Sequence, residues 1–100
     1  MQGCGWMRRA AKRDISEPKI VSTLEQCGFS VCRISQENVP DLLCGFRGRT
    51  YLVECKTGKG KLTVGQAQFI EQWRGHPVQV LRDAQEAMDW AVEIAKGGRE

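Results

Sequence analysis

The pattern of apolar and polar positions divides the chain into seven elements. An apolar period near 3.6 residues indicates a helix, and alternation with a period of two indicates a strand. Helices are predicted over 16–27, 63–74 and 83–97, and strands over 29–35, 41–46, 50–56 and 78–81. The order α-β-β-β-α-β-α predicts an α/β domain with a mixed sheet of about four strands, flanked by helices and followed by a C-terminal helix.

Each predicted helix has an apolar stripe that should face the sheet. The stripes are Ile20, Val21, Leu24 and Cys27 in the first helix, Phe69, Ile70 and Trp73 in the second, and Ala87, Trp90, Ala91 and Ile94 in the third. Ser16, Thr63 and Asp83 are the expected N-caps, and Gln66 and Glu86 stand where the second half of a capping box would be. Arg47-Gly48 is expected to form a hairpin turn.

The composition is that of a small globular domain. The 100 residues are 41% hydrophobic and 27% charged, and no apolar run approaches the roughly 20 residues that span a membrane. The N-terminus has basic residues without the apolar stretch of a signal peptide. We therefore expect a cytoplasmic protein with no membrane partner, made of a flexible basic tail over 1–13 and a single domain over 14–100.

The basic residues are clustered, although the net charge is only +3. One cluster contains Arg8, Arg9, Lys12 and Arg13, and a second contains Arg47, Arg49, Lys56, Lys59 and Lys61. Such clusters indicate a polyanionic partner, with solubility as the alternative explanation. The five cysteines are an odd number without the spacing of a zinc site, so we expect free thiols.

A carboxylate stands where the third predicted strand should be buried. Because side chains alternate along a strand, Leu52, Glu54 and Lys56 share one face and the residues between them share the other. Both faces are largely apolar, which indicates an interior strand, where a carboxylate is costly unless it is paired or binds a metal. The alternative is an exposed ion pair between Glu54 and Lys56.

Three further polar residues are expected near this strand. Glu17 and Gln66 continue the apolar stripes of their helices and should face the sheet, and Asp41 follows Pro40 where a loop enters a strand. Each has a simpler explanation: Glu17 complements the helix dipole, Gln66 completes a capping box, and Asp41 is a turn residue. Together they suit a magnesium site beside a lysine, and such a site can catalyse the hydrolysis of a phosphodiester bond.

The sequence also resembles a known family. The residues PD, then twelve residues, then ECK resemble the PD-(D/E)xK signature of the restriction-endonuclease-like fold, which has an αβββαβ core. The stretch PDLLCGFRGRTYLVECKTGKGKLTVGQAQF is similar to small stand-alone nucleases of phage and bacteria, in the VRR-NUC and Holliday-junction-resolvase-like branches. The resemblance covers residues 14 to 90.

The resemblance implies a role for each matching residue. Asp41, Glu54 and the backbone carbonyl of Cys55 would bind the metal, with Glu17 as a further ligand, and Lys56 would be the catalytic lysine. Gln66 would support the site or contact the scissile phosphate. The nucleic-acid contacts are expected from Arg13, Arg47, Arg49, Lys59 and Lys61.

The implied activity is a Mg²⁺-dependent endonuclease acting on DNA, with Mn²⁺ able to substitute and with branched DNA as the expected substrate. Because one small domain carries one site, cutting two strands would require a homodimer. The alternative is a non-catalytic nucleic-acid-binding module that retains the fold.

Overall fold

A computed structural model describes residues 13–97 and contains the seven elements in the predicted order. They are α1 (Glu17–Gln26), β1 (Ser30–Arg33), β2 (Leu42–Phe46), β3 (Arg49–Cys55), α2 (Val64–Gln72), β4 (Gln79–Leu81) and α3 (Ala84–Ala95). The predicted fold class is confirmed, and the element ends differ from the predicted ones by one or two residues. No helix among the described residues is long and apolar enough to cross a membrane.

The sheet has the strand order β1-β2-β3-β4. The first two pairs are antiparallel and β3–β4 is parallel, so β3 is an interior strand as its two apolar faces predict. Arg47 and Gly48 form the β2–β3 turn with φ of 52° and 82°. Positive φ at both central residues is the geometry of a two-residue hairpin, which returns the chain antiparallel to itself.

One face of the sheet packs against α1 and α3 and forms the core. Tyr51, Val53 and Cys55 of β3 are buried on this face. The predicted stripes are confirmed as buried at Ile20, Val21 and Leu24 in α1 and at Ala87, Trp90, Ala91 and Ile94 in α3. Leu52 and Glu54 point to the opposite face, because successive strand residues alternate.

Helix α2 departs from the sequence prediction. None of its described residues is buried, and the Trp73 side chain that follows it is 45% exposed. The expected stripe is therefore wrong at Trp73, which is exposed, whereas Phe69 and Ile70 are half-buried. The Phe69 and Trp73 rings stack on each other instead, with centroids 5.3 Å apart, as neighbours one helical turn apart can do.

The predicted caps are confirmed at two of the three helices. The side-chain oxygens of Thr63 and Asp83 accept hydrogen bonds from backbone N–H groups of α2 and α3. Ser16 makes no side-chain cap within the described residues; its hydroxyl donates to Asp14 Oδ1 at 2.7 Å. Ser16 holds the N-cap position, but the expected side-chain cap is wrong because its backbone is helical, with φ −76° and ψ −17°, instead of the extended conformation that aims a cap oxygen at the first turn.

The different burial of Trp73 and Trp90 gives a stability prediction. Replacing Trp73 by Ala should lower the free energy of unfolding by about 1 kcal/mol, the value of one aromatic pair. Replacing Trp90 by Ala should lower it by about 3–5 kcal/mol, because this indole is buried in the core. Urea unfolding of the two variants tests this; equal losses would contradict the exposed position of α2.

Candidate active site

Asp41 and Glu54 meet where β3 ends. The antiparallel register pairs Leu42 with Val53, so the residue before β2 comes to lie beside the last residues of β3. The Cys55 N–H donates to Asp41 Oδ2 at 2.8 Å, and Asp41 lies close enough to Glu54 to raise its pKa through its charge and a side-chain hydrogen bond. Two acids that are 13 positions apart in the sequence thereby form one site.

Lys56 and Gln66 complete the surroundings of Glu54. The Lys56 Nζ lies 3.9 Å from Glu54 Oε2, and the Gln66 amide Nε2 donates to the same oxygen at 3.2 Å. The Gln66 Oε1 accepts from the Thr63 N–H at 2.9 Å, so the same side chain also closes a capping box. Gln66 therefore completes the capping box and also contacts Glu54, and the cap fixes the position of its amide group.

Glu54 is a buried acid whose charge is poorly compensated. Its exposed fraction is 2%. Burial and then the neighbouring Asp41 raise its pKa from 4.5 to about 8, against the opposing effect of Lys56. Burial and the neighbouring Asp41 therefore favour a proton on Glu54 near neutral pH, and a divalent cation can take the place of that proton.

The negative charge of Glu17 is compensated much better than that of Glu54. It is buried, as predicted, and both its oxygens accept from Arg13 Nε at 3.1 Å while Arg33 Nε donates to Oε2 at 2.8 Å. Arg13 also donates to the backbone oxygens of Ile34, at 2.8 Å, and of Asp41, at 3.3 Å. The pair of Glu17 and Arg13 thus ties the start of α1 to the loop that delivers Asp41.

The side chains of Glu17, Asp41 and Cys55 offer a second group of ligand atoms, all within 4.8 Å of one another. This group suits magnesium poorly, because Glu17 is already held by two guanidinium groups. Burial, reinforced by the nearby carboxylates, raises the pKa of the Cys55 thiol, so it stays protonated and binds metals weakly. Asp41 and Glu54 are the better pair of metal ligands, with the Cys55 carbonyl still a predicted one.

Asp14 joins the site without having been predicted. Its Oδ1 accepts from the Ser16 N–H at 2.9 Å and from the hydroxyls of Ser16 and Thr57. Partial burial raises its pKa, but these hydrogen bonds, led by that from Thr57, lower it further and the net shift is downward. The signal in the sequence was the Asp-x-Ser spacing, which is typical of a side-chain-stabilised turn.

The loop after β3 carries Lys59 and Lys61 beside the site. Both side chains are exposed, and Arg82 holds the loop by donating to the carbonyls of Gly58, at 2.7 Å, and Gly60, at 2.8 Å. The position of both lysines is compatible with the predicted phosphate contacts. Arg82 was missed, since nothing in its local sequence indicates a partner more than 20 residues away.

The other residues predicted to contact nucleic acid are Arg13, Arg47 and Arg49. Arg49 begins β3 and the site is at its other end, about 20 Å away at roughly 3.3 Å per residue. Arg47 donates to the Ala95 carbonyl at 2.9 Å and lies over the Phe46 ring. The donors of Arg13 are used within the protein. Residues 1–12, which include the rest of the predicted tail, lie outside the described residues.

No model of a known protein family matches this chain, and neither does a curated protein or a solved structure. The function of the protein is therefore inferred from the arrangement of its side chains.

The raised pKa of Glu54 predicts how stability changes with pH. The folded protein holds a proton that the unfolded chain releases near pH 4.5, so the contribution of Glu54 to stability is fully present below that pH and is lost as the pH rises through about 8. Glu54→Gln should remove this loss and unfold at higher urea concentration than wild type at pH 8 in EDTA. Added Mg²⁺ should stabilise wild type but not the variant.

The control for Glu54→Gln is Glu25→Gln, which removes an exposed charge from α1. A wild-type stability that does not fall between pH 5 and pH 8 relative to Glu54→Gln would contradict the buried, protonated acid.

The two arginines on Glu17 predict a structural effect. Glu17→Ala should lower the free energy of unfolding by about 2–3 kcal/mol, because it leaves two guanidinium groups facing each other. Glu25→Ala on the same helix should change it by less than about 0.5 kcal/mol. If Glu17→Ala unfolds like wild type, the ion pairs do not hold α1 to the site.

Proposed function

We propose that this protein is a divalent-metal-dependent endonuclease that hydrolyses DNA phosphodiester bonds, and that it is a PD-(D/E)xK nuclease. The observation that carries the proposal is the convergence of Asp41, Glu54 and Lys56 at the end of β3. The αβββαβ order with a mixed sheet, as that resemblance implies, supports it.

The residues fit a magnesium ion. Asp41 and Glu54 supply hard carboxylate oxygens at the same end of the β2–β3 hairpin, and Asp41 is partly exposed, so retained waters have access. When bound, the ion would polarise the phosphoryl oxygen and lower the pKa of a water. Mn²⁺, which takes the same oxygen ligands, should substitute.

The protein's own side chains have separate tasks in this proposal. The Lys56 ammonium, largely buried and 3.9 Å from Glu54, stabilises negative charge that develops on the phosphate. Gln66 orients the Glu54 carboxylate through its 3.2 Å hydrogen bond. Lys59 and Lys61 hold the DNA backbone from the exposed loop.

The substrate and the oligomeric state are proposed from the resemblance and from the single candidate site that the described residues form in each chain. Branched DNA is the proposed substrate, and a homodimer would supply a second site for the second strand. The proposed location is a reducing cytoplasm, which would suit the free thiols of Cys27, Cys32, Cys44 and Cys55. A non-catalytic binding module is less well supported, because binding DNA requires no pair of acids, one of them buried, next to Lys56.

The test is cleavage of a four-way junction, a flap and a linear duplex in Mg²⁺ or Mn²⁺. Wild type should cut at least one of them, and EDTA should abolish cutting. Asp41→Asn, Glu54→Gln and Lys56→Met should each reduce the rate by about 100-fold or more, as loss of a group that stabilises the transition state does.

The matched control is Glu71→Gln, an exposed acid on α2, which should retain the wild-type rate. No cutting of any substrate in Mn²⁺, or full activity in all three site variants, would overturn the proposal. DNA binding that survives EDTA and these substitutions without cleavage would favour the binding module.

A further inference from the structure

A cavity formed by the described residues lies away from the carboxylate site. It has a volume of about 560 Å³ and runs between the β4 edge and α3. Its lining includes Tyr51, Leu81, Trp90, Glu86, Asp89 and Glu93. Tyr51 points to the core face of the sheet and Glu54 to the opposite one, so the groove and the candidate active site are separate.

Tyr51 lines this groove, and its side chain is buried without a hydrogen-bond partner among the described residues. Its side chain is 5% exposed, and within residues 13–97 it makes ring contacts but no hydrogen bond. Buried hydroxyl groups are normally hydrogen-bonded. The Trp90 ring stands perpendicular to the Tyr51 ring at 5.5 Å, and the His76 ring lies 4.9 Å from it, so the Tyr51 ring packs among aromatic side chains that also line the groove.

The rim of the groove is acidic. Glu86, Asp89 and Glu93 are spaced by three and four residues along α3, which places them on one side of the helix. Glu86 Oε1 accepts from the Arg82 N–H and Asp89 Oδ1 from the Gln85 amide, which leaves each of these carboxylates a further oxygen. The Arg82 guanidinium lines the groove too, but it donates to the loop carbonyls of Gly58 and Gly60.

We propose that this groove binds an arginine or lysine side chain on an extended basic segment of a partner protein. A cationic side chain supplies donors for the Tyr51 oxygen and the rim carboxylates, and its charge is attracted to the faces of aromatic rings. The β4 strand forms an edge of the described sheet, which leaves room for an extended chain alongside it. The same negative rim repels DNA, so the partner is not the nucleic acid.

The experiment is an NMR titration of the full chain with a blocked pentapeptide of two arginines and three glycines. Saturable shifts are expected at Tyr51, Val80 and the Trp90 indole, and the same peptide with glutamates should cause none. The double variant Glu86→Gln, Asp89→Asn should weaken binding at least tenfold, and Tyr51→Phe at least threefold. Melting curves establish that each variant is folded.

The control is the double variant Glu25→Gln, Glu71→Gln, which removes two acids outside the groove and should keep the affinity within twofold. Equal losses in the two double variants, or unchanged affinity in Tyr51→Phe, would overturn the proposal. Tighter peptide binding after Arg8, Arg9 and Lys12 are replaced by Gln would also overturn it, because the chain's own basic segment would then be the occupant.

Discussion

The hydrogen bond from the Cys55 N–H to the Asp41 carboxylate joins the start of β2 to the end of β3, and the candidate site depends on this junction. The tight Arg47-Gly48 turn fixes the antiparallel register, and the register alone decides which residue of β3 lies beside Asp41. A slip of one residue would move Glu54 to the core face and put Cys55 in its place. The β2–β3 hairpin therefore decides which side chains meet at the candidate site.

The two buried glutamates show how differently the fold treats negative charge. Glu17 on the core side is held by Arg13 and Arg33, and such a pair stabilises a buried acid without leaving it free to bind a ligand. Glu54 has a lysine at 3.9 Å, an amide and a second acid. Since both are almost fully buried, the lack of compensation at Glu54 is what distinguishes a candidate ligand from a structural ion pair.

The two faces of the sheet have different surroundings. The core face is closed by α1 and α3 except at the β4 edge, where the acidic groove remains. The opposite face carries Glu54 and is approached by α2, whose described residues are none of them buried. A helix that is so weakly packed can adjust its position at low cost, and it carries the Gln66 amide that touches Glu54.

The sequence by itself determined the order of the elements, the stripes of α1 and α3, and the burial of Glu17 and Glu54, because side-chain periodicity is a local property that the chain carries directly. It also predicted that Asp41, Glu54, Lys56 and Gln66 lie close together, as they do in the structure. Only the tertiary structure decided that Arg33 pairs with Glu17, that Arg49 is far from the carboxylates, and that Trp73 stays exposed. These outcomes depend on register and on partners distant in sequence, such as Arg33 for Glu17, whose meeting no local pattern encodes.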